Sequence, residues 1–210
     1  MGANLLSLSV PRAAVLVEGA ADAILLPTLL RQACGLENLP YRFAPGIAEL
    51  PAAAVPDLSS HGGQVVVLLD GDEGGRDKRA ELERGGFPGD RILDLSLVDA
   101  DVTLEDLVTK AVFAEAVNQE IAAWAIGGCR IEAAPLPDLG RWRWLEAEGE
   151  RQAVTLRRLS KPAVAQRVVD LNRTNRARSL MEPPVAERLR AMHQQLSERL
   201  LPGAMGTASS

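Results

Sequence analysis

Residues 65–75 read Val65-Val66-Val67-Leu68-Leu69-Asp70-Gly71-Asp72-Glu73-Gly74-Gly75 and join an apolar run to a cluster of acids. The five apolar residues predict a strand that is buried on both faces, as strands of parallel sheets are. Side chains alternate along an extended backbone, so Asp70 and Asp72 can point the same way from its carboxyl end. Together with Glu73, these carboxylates would repel one another unless a cation lay between them. Mg²⁺ and Mn²⁺, which prefer oxygen ligands, are the expected cations.

Strands and helices alternate around this stretch. Other apolar runs predict strands at 13–17, 41–44 and 91–95, and helical patterns end near Cys34 and extend over 76–84. Such alternation is typical of an α/β fold whose parallel sheet carries helices on both faces. Open sheets of this kind bind ligands beyond the carboxyl ends of their strands.

The second half of the chain is predicted to be mainly helical. One helical pattern begins at Thr103 and continues to about Ile126. Residues 129–160 leave two interpretations open, either strands that pair across a loop or helices, and the pattern slightly favours helices. Two further helices are predicted, one that begins at Ser160-Lys161-Pro162, with proline in its first turn, and one over 184–200.

Composition excludes several classes of protein. The chain has 210 residues, enough for one core with a small appended lobe. Aromatic residues are only 3%, which leaves little material for stacked aromatic platforms, and no apolar run approaches the roughly 18 residues of a membrane helix. Cys34 and Cys129 lack the spacing of a zinc site, so we expect reduced core thiols in a cytoplasmic protein that has no membrane partner.

Charge is unevenly distributed along the chain. Residues 1–140 hold 10 Lys or Arg against 21 Asp or Glu, whereas residues 141–180 hold 10 against 4. An acidic part that gathers metal beside a basic part that holds phosphates would suit a nucleic-acid enzyme. On charge alone, a solvated arginine-rich helix surface is the simpler explanation of residues 141–180.

A second acidic motif follows the first predicted strand. It reads Val17-Glu18-Gly19-Ala20-Ala21-Asp22, so that Glu18 lies at the strand's end and Asp22 in the first helical turn. This motif and residues 69–75, roughly fifty residues apart in the same order, resemble the Toprim domain of topoisomerases, bacterial primases, recombination mediators and several nucleases. The resemblance covers about residues 12–110. It implies a Rossmann-like parallel sheet of about four strands.

Within that superfamily, the chain is most similar to the OLD-family (overcoming lysogenisation defect) nucleases. Glu18 and Asp22 match the first motif of that family. Thr103-Leu104-Glu105-Asp106-Leu107 resembles its downstream acidic motif, and Ser160-Lys161-Pro162-Ala163-Val164-Ala165 resembles its lysine motif. The resemblance implies metal-dependent cleavage of DNA, usually with two cations.

The resemblance also implies a domain organisation and a partner. We expect a Toprim catalytic core at 1–105, a helical or mixed insertion at 106–160, C-terminal helices that return to the core at 161–200 and a disordered tail at 201–210. In OLD proteins an ATPase module precedes the Toprim region, and this sequence contains no G-x-x-x-x-G-K-[ST] phosphate loop. The start at Met1-Gly2-Ala3, close to the first strand, favours an excised C-terminal region of a longer protein.

Two-metal hydrolysis of a phosphodiester needs cations roughly 3.5–4 Å apart. Six acids are candidate ligands for two Mg²⁺ or Mn²⁺ ions: Glu18, Asp22, Asp70, Asp72, Glu73 and Glu105. We assign one ion mainly to Glu18, Asp70 and Asp72 and expect Asp22 and Glu105 to share in the second. The sixth candidate, Glu73, has an alternative role, which is simply to begin the helix that follows.

Catalysis is assigned to four residues, Glu18, Asp70, Asp72 and Lys161. A cation at a helix N-terminus is electrostatically misplaced, so Lys161 invites another role, that of stabilising charge on the phosphate or on the leaving oxygen. We expect hydrolysis by water with no covalent enzyme intermediate. Tyr41, the only tyrosine, lies on a predicted strand, which argues against strand transfer by a topoisomerase.

Other functions remain open. A Toprim module can be a non-catalytic DNA-binding or assembly platform, although a platform has no need of five acids. An RNA-processing or primase-like enzyme would use the same acids. Residues 70–81 partly match a calcium-binding EF-hand loop, but a strand precedes them and Gly74 occupies a ligand position. A haloacid-type phosphatase also has a DxD motif after a strand but leaves Glu18 unexplained.

Overall fold

A computed structural model describes residues 13–60, 65–96, 102–124, 130–151 and 159–201. Four strands in these ranges form one parallel sheet in the order β2-β1-β3-β4: β1 (Ala14–Val17), β2 (Arg42–Pro45), β3 (Val65–Leu69) and β4 (Ile92–Asp94). The predicted α/β class, with a Rossmann-like parallel sheet of about four strands, is confirmed. Because all four strands are parallel, their carboxyl ends lie at one edge of the sheet.

Helices flank this sheet. The described α-helices are α1 (Ala20–Cys34), α2 (Val55–Ser60), α3 (Glu73–Arg84), α4 (Lys110–Ala123), α5 (Arg141–Arg151), α6 (Lys161–Thr174) and α7 (Pro183–Leu200). Short 3-10 turns occur at Ala52–Ala54, Gly89–Arg91 and Leu104–Leu107. Within the described residues, no helix has both the length and the apolar character needed to cross a membrane.

The strand β3 separates two hydrophobic cores. Val66 and Leu68 belong to the larger core, which β1 and α1 share with α4, α6 and α7. Val65, Val67 and Leu69 belong to a smaller core with residues of α2 and α3. All five residues of β3 are buried, so the prediction of a strand covered on both faces is confirmed.

Helices from the second half of the chain are part of the main core. Both α6 and α7 pack against α1, and α6 also packs against α4. Phe113 of α4, Val168 of α6 and Leu189 of α7 are almost completely buried in the core that contains Val15 of β1. The N-terminus of α6 is thereby held near the N-terminus of α1.

The single helix predicted from Thr103 to about Ile126 is wrong. The chain instead forms the 3-10 turn at Leu104–Leu107, and α4 begins only at Lys110. The break has a local cause, because the side chain of Thr109 accepts a hydrogen bond from Val112 N–H and caps a new helix. The predicted helix end near Ile126 lies outside the described residues.

Other local expectations are refined. The helix predicted over 76–84 begins at Glu73, because the Asp72 side chain accepts the Gly75 N–H at 3.0 Å and caps it. The slight preference for helix over strand at 141–144 is confirmed by α5.

The prediction of core thiols is wrong for Cys34, which is a free thiol but only half-buried. Cys129, residues 153–156 and the tail from 202 lie outside the described residues.

The two glycines that follow the acids of the 65–75 stretch have different roles. A Cβ atom at Gly75 would lie 2.0 Å from the backbone oxygen of Asp70, so only glycine lets α3 begin this close to the end of β3. A Cβ atom at Gly74 would meet nothing nearer than a carboxylate oxygen of Asp72 at 3.4 Å. Gly75 is therefore required by packing, whereas Gly74 is not.

Gly75→Ala is expected to lower the free energy of unfolding by about 2 kcal/mol or more, because the added methyl group overpacks the β3–α3 junction. Gly74→Ala is the matched control. It should leave stability unchanged or raise it by up to about 1 kcal/mol, since alanine is the better helix former. Urea unfolding followed by circular dichroism measures both, and equal effects of the two substitutions would contradict the packing argument.

Candidate metal centre

Acidic side chains from three separate segments meet at the carboxyl edge of the sheet. Glu18 and Asp22 come from the β1–α1 junction, Asp70 from the end of β3, and Glu105 from the 3-10 turn before α4. The charge of Asp70 interacts with those of Asp22, Glu18 and Glu105, and that of Glu18 interacts with Asp72. Five of the six predicted ligands thus belong to one electrostatically coupled group.

Backbone donors hold three of these carboxylates by one oxygen each. Glu18 Oε1 accepts the N–H of Asp70 at 2.7 Å, which ties the two acidic motifs together across β1 and β3. Asp22 Oδ2 accepts the N–H of Gly19 at 2.8 Å, and Asp72 Oδ1 accepts the N–H of Gly75. Within the described ranges, the second oxygen of each carboxylate has no hydrogen bond, so it is available to a ligand.

Glu105 carries the strongest indication of a cation. Its side chain is buried, and one oxygen, Oε1, lies 3.3 Å from Lys161 Nζ. The other oxygen, Oε2, is buried without any hydrogen-bond partner. A buried carboxylate oxygen that lacks a partner is costly, and a cation removes that cost. The donor set, all oxygen, suits Mg²⁺ or Mn²⁺.

Burial and mutual repulsion change the acidities in this cluster. Burial, together with the charges of Asp22, Glu18 and Glu105, raises the pKa of Asp70 to about 8. Burial and the charges of Glu105 and Glu18 raise the pKa of Asp22 to about 6. Burial also raises the pKa of Glu18, with a further contribution from Asp72. At neutral pH the metal-free cluster therefore holds protons that a divalent cation would displace.

The acidic side chains lie near one another, but their oxygens do not surround a single point. In the described part of the chain, no three Asp, Glu, His or Cys side chains are already arranged to hold a metal ion. Ion binding would therefore draw the free oxygens of Glu18, Asp22, Asp70, Asp72 and Glu105 inward.

Glu73 is the remaining predicted ligand. It is exposed in the first turn of α3, where a negative charge is favourable next to the helix N-terminus. It lines a groove together with Asp72 and Lys161. Its position matches the alternative role considered above, that of beginning the helix.

Lys161 completes the cluster from the opposite side. It is the first residue of α6, and Ser160 caps that helix by accepting the N–H of Ala163. Burial lowers the pKa of Lys161, but the carboxylates of Glu105, Asp70 and Asp22 outweigh burial and raise it. These negative charges explain why a lysine is favourable at this helix N-terminus.

A buried arginine holds the turn that carries Glu105. The guanidinium of Arg141 donates to the backbone oxygens of Glu105, Val108 and Pro137. The Asp106 carboxylate accepts the backbone N–H groups of Thr103, Gly140 and Arg141 at 3.0–3.1 Å, so the turn and the start of α5 are joined. Neither motif comparison nor charge counting singles out Arg141, because two of its three partners are backbone atoms more than thirty residues away.

A groove of about 630 Å³ opens beside the cluster. Its lining includes Asp72 and Lys161 together with three residues that the sequence reasoning missed, Arg76, Trp142 and Arg143. The available signal was the alternating Arg141-Trp142-Arg143-Trp144 run at the start of the basic stretch. The groove therefore places basic side chains next to acidic ones.

Comparison of the chain with protein-family models, with curated proteins and with solved structures finds no match.

Asp70→Asn is expected to change how stability depends on pH. In EDTA, ionisation of Asp70 costs more in the folded than in the unfolded chain, because its pKa rises from 3.8 to about 8. Wild-type stability should fall as pH rises through that range, and by pH 8.5, after about four pKa units at about 1.4 kcal/mol each, the asparagine variant should be more stable by about 5 kcal/mol. Urea unfolding at pH 5.5, 7 and 8.5 measures this difference. Parallel pH profiles for the two proteins would contradict it.

Arg141→Lys is expected to loosen the turn that carries Glu105. Lysine keeps the charge but cannot reach three carbonyl groups at once, so we expect a loss of about 2–3 kcal/mol in stability and weaker Mn²⁺ binding. Arg143→Lys, two residues along on the exposed face of α5, should change stability by less than about 0.5 kcal/mol. Calorimetric titration with Mn²⁺ and urea unfolding test the pair. An Arg141→Lys variant with wild-type affinity for Mn²⁺ would show that the contacts of Arg141 do not position Glu105.

Proposed function

We propose that this chain is a metal-dependent nuclease that hydrolyses DNA phosphodiester bonds, and that it is the catalytic region of an OLD-like Toprim protein. The observation that carries the proposal is the buried Glu105 carboxylate, with one oxygen beside Lys161 and the other unpartnered, next to Asp22 and Asp70. The acidic motifs and the lysine motif of the resemblance thus lie within one cluster. If these short motifs resembled the family only by chance, there would be no reason for them to meet at one place in the fold.

Metal binding is the first part of the proposal. Glu18, Asp22, Asp70, Asp72 and Glu105 would hold one or two Mg²⁺ or Mn²⁺ ions, which activate water and stabilise the leaving oxygen when bound. Deprotonation of the cluster accompanies binding, since the raised pKa values of Asp70 and Asp22 must be overcome. Activity should therefore increase from mildly acidic to mildly alkaline pH.

Lys161 provides the charge that faces the scissile phosphate. Its ammonium group is half-exposed, with a side-chain exposure of 41%, although it pairs with buried Glu105. A group so placed can contact a phosphate oxygen while the carboxylates keep it protonated. Stabilisation of charge that develops on the phosphate is the role this position supports.

DNA is the proposed substrate, and an ATPase module is the proposed partner. Arg76 and Arg143 line the groove beside Lys161, where they can neutralise neighbouring phosphates of a bound strand. The ATPase partner follows from the resemblance to OLD proteins alone. The half-buried free thiol of Cys34 is compatible with the cytoplasm, which we propose as the site of action.

The test is nicking of supercoiled plasmid in Mn²⁺ and in Mg²⁺. Glu18→Ala and Asp70→Ala should each lower the rate by at least about 100-fold, and Lys161→Ala by about 100- to 1,000-fold. Glu187→Ala, which removes an exposed acid on α7, is the control and should retain the wild-type rate. Cleavage that survives both acid substitutions would refute the metal site.

A parallel digestion of RNA separates the rival functions. Faster cleavage of RNA than of DNA would favour an RNA-processing enzyme that uses the same acids. Tight DNA binding with no cleavage of either polymer in any divalent metal would favour a non-catalytic platform.

A further inference from the structure

We infer that the groove beside the acidic cluster receives an unpaired nucleotide whose base stacks on Trp142. The substrate class would then be DNA with single-stranded character at the cleavage position, such as a single-stranded tail, a fork or a locally opened duplex. This inference rests on the proposed nuclease function and narrows its substrate.

Trp142 is half-buried near the start of α5, where it packs against the main core and a hydrogen bond restrains its indole ring. Its indole Nε1 donates to Glu146 Oε1 one helical turn along α5, at 2.8 Å. Lys161 Nζ lies 5.9 Å from the centre of the ring and 3.3 Å from Glu105 Oε1. One lysine therefore joins the aromatic ring to the acids, so a base on the ring would bring its own phosphate close to them.

The groove has the size to hold a nucleotide, and basic side chains for its phosphates lie among the acidic ones that line it. Its volume of about 630 Å³ lies within the range of sites that enclose small ligands. Arg143, exposed on α5, has no hydrogen bond or ion pair within the described residues. Arg76 of α3 lines the same groove and donates to the backbone oxygen of Gly71. An aromatic ring that shares a groove with two guanidinium groups suits a base and its neighbouring phosphates.

Duplex DNA cannot use the ring in this way. A base in a duplex is stacked on both faces by its neighbours, so Trp142 can reach a face only when that base is unstacked. The chain is poor in aromatic residues, and Trp142 is the one aromatic residue among those that line this groove. A single ring predicts that one base is bound, with no extended platform along the strand.

The chain contains a matched control for Trp142. Trp124, at the C-terminal end of α4, is 47% exposed and also donates its indole N–H to a glutamate one turn away, Glu120, at 2.8 Å. It does not line the groove. Substitution of Trp124 therefore removes an exposed indole with the same local hydrogen bond at a different surface.

The experiment measures binding first, in EDTA, by fluorescence anisotropy of labelled oligothymidine and of a blunt duplex. Trp142→Leu keeps apolar volume without a π-face and should weaken oligothymidine binding by about 5- to 100-fold, the range that stacking of one base supplies. Trp142→Phe should retain most of the affinity, and Trp124→Leu all of it. Oligothymidine should also quench tryptophan fluorescence in the wild type and much less in Trp142→Phe.

Cleavage then tests the substrate class. In Mn²⁺, the wild type should cut a forked or single-stranded DNA faster than a blunt duplex, and Trp142→Leu should lose that preference. Equal binding by Trp142→Leu and Trp124→Leu, or a wild type that cuts intact duplex as fast as forks, would overturn the inference. A wild type that quenches and binds through Trp142 but cuts nothing would refute the nuclease proposal and leave the nucleotide site standing.

Discussion

The repulsion among carboxylates at the carboxyl edge of the sheet is the constraint on which the site depends. Asp70 lies at its centre, because its charge interacts with those of Glu18, Asp22 and Glu105, and Lys161 opposes them. Four neighbouring carboxylates are unfavourable in a folded protein, since each uncompensated charge reduces its stability. A divalent cation is the simplest compensation, and it accounts at once for the unpartnered Glu105 oxygen.

Much of the surrounding structure serves to keep these acids in place. The contact between Glu18 and the Asp70 N–H locks the ends of β1 and β3 together. Gly75 allows α3 to begin directly behind Asp70, so that Asp72 is fixed as a helix cap. Arg141 and Asp106 secure the turn of Glu105 through backbone atoms. Three features thus support the cluster. One is a glycine that permits close packing, and the other two are sets of hydrogen bonds between polar side chains and the backbone.

The sheet and the acidic edge could be predicted from the sequence because their signals are local. The apolar run at 65–69 and the acids that follow it define a buried strand and its carboxyl end without reference to the rest of the chain. The turn at Leu104–Leu107 could not be predicted, because a capping threonine at 109 interrupts a pattern that is helical on both sides. Arg141 was equally inaccessible, since its guanidinium binds backbone oxygens of a turn more than thirty residues away.

The central claim is that this edge of the sheet binds divalent cations. Crystals grown with Mn²⁺, with data collected at the manganese absorption edge, test it most directly. The account predicts one or two anomalous peaks in contact with oxygens of Glu18, Asp70 and Asp72 and of Asp22 and Glu105, with the Glu105 oxygen Oε2 among the ligands. Anomalous peaks elsewhere on the molecule, with Glu105 Oε2 still lacking a partner, would contradict it.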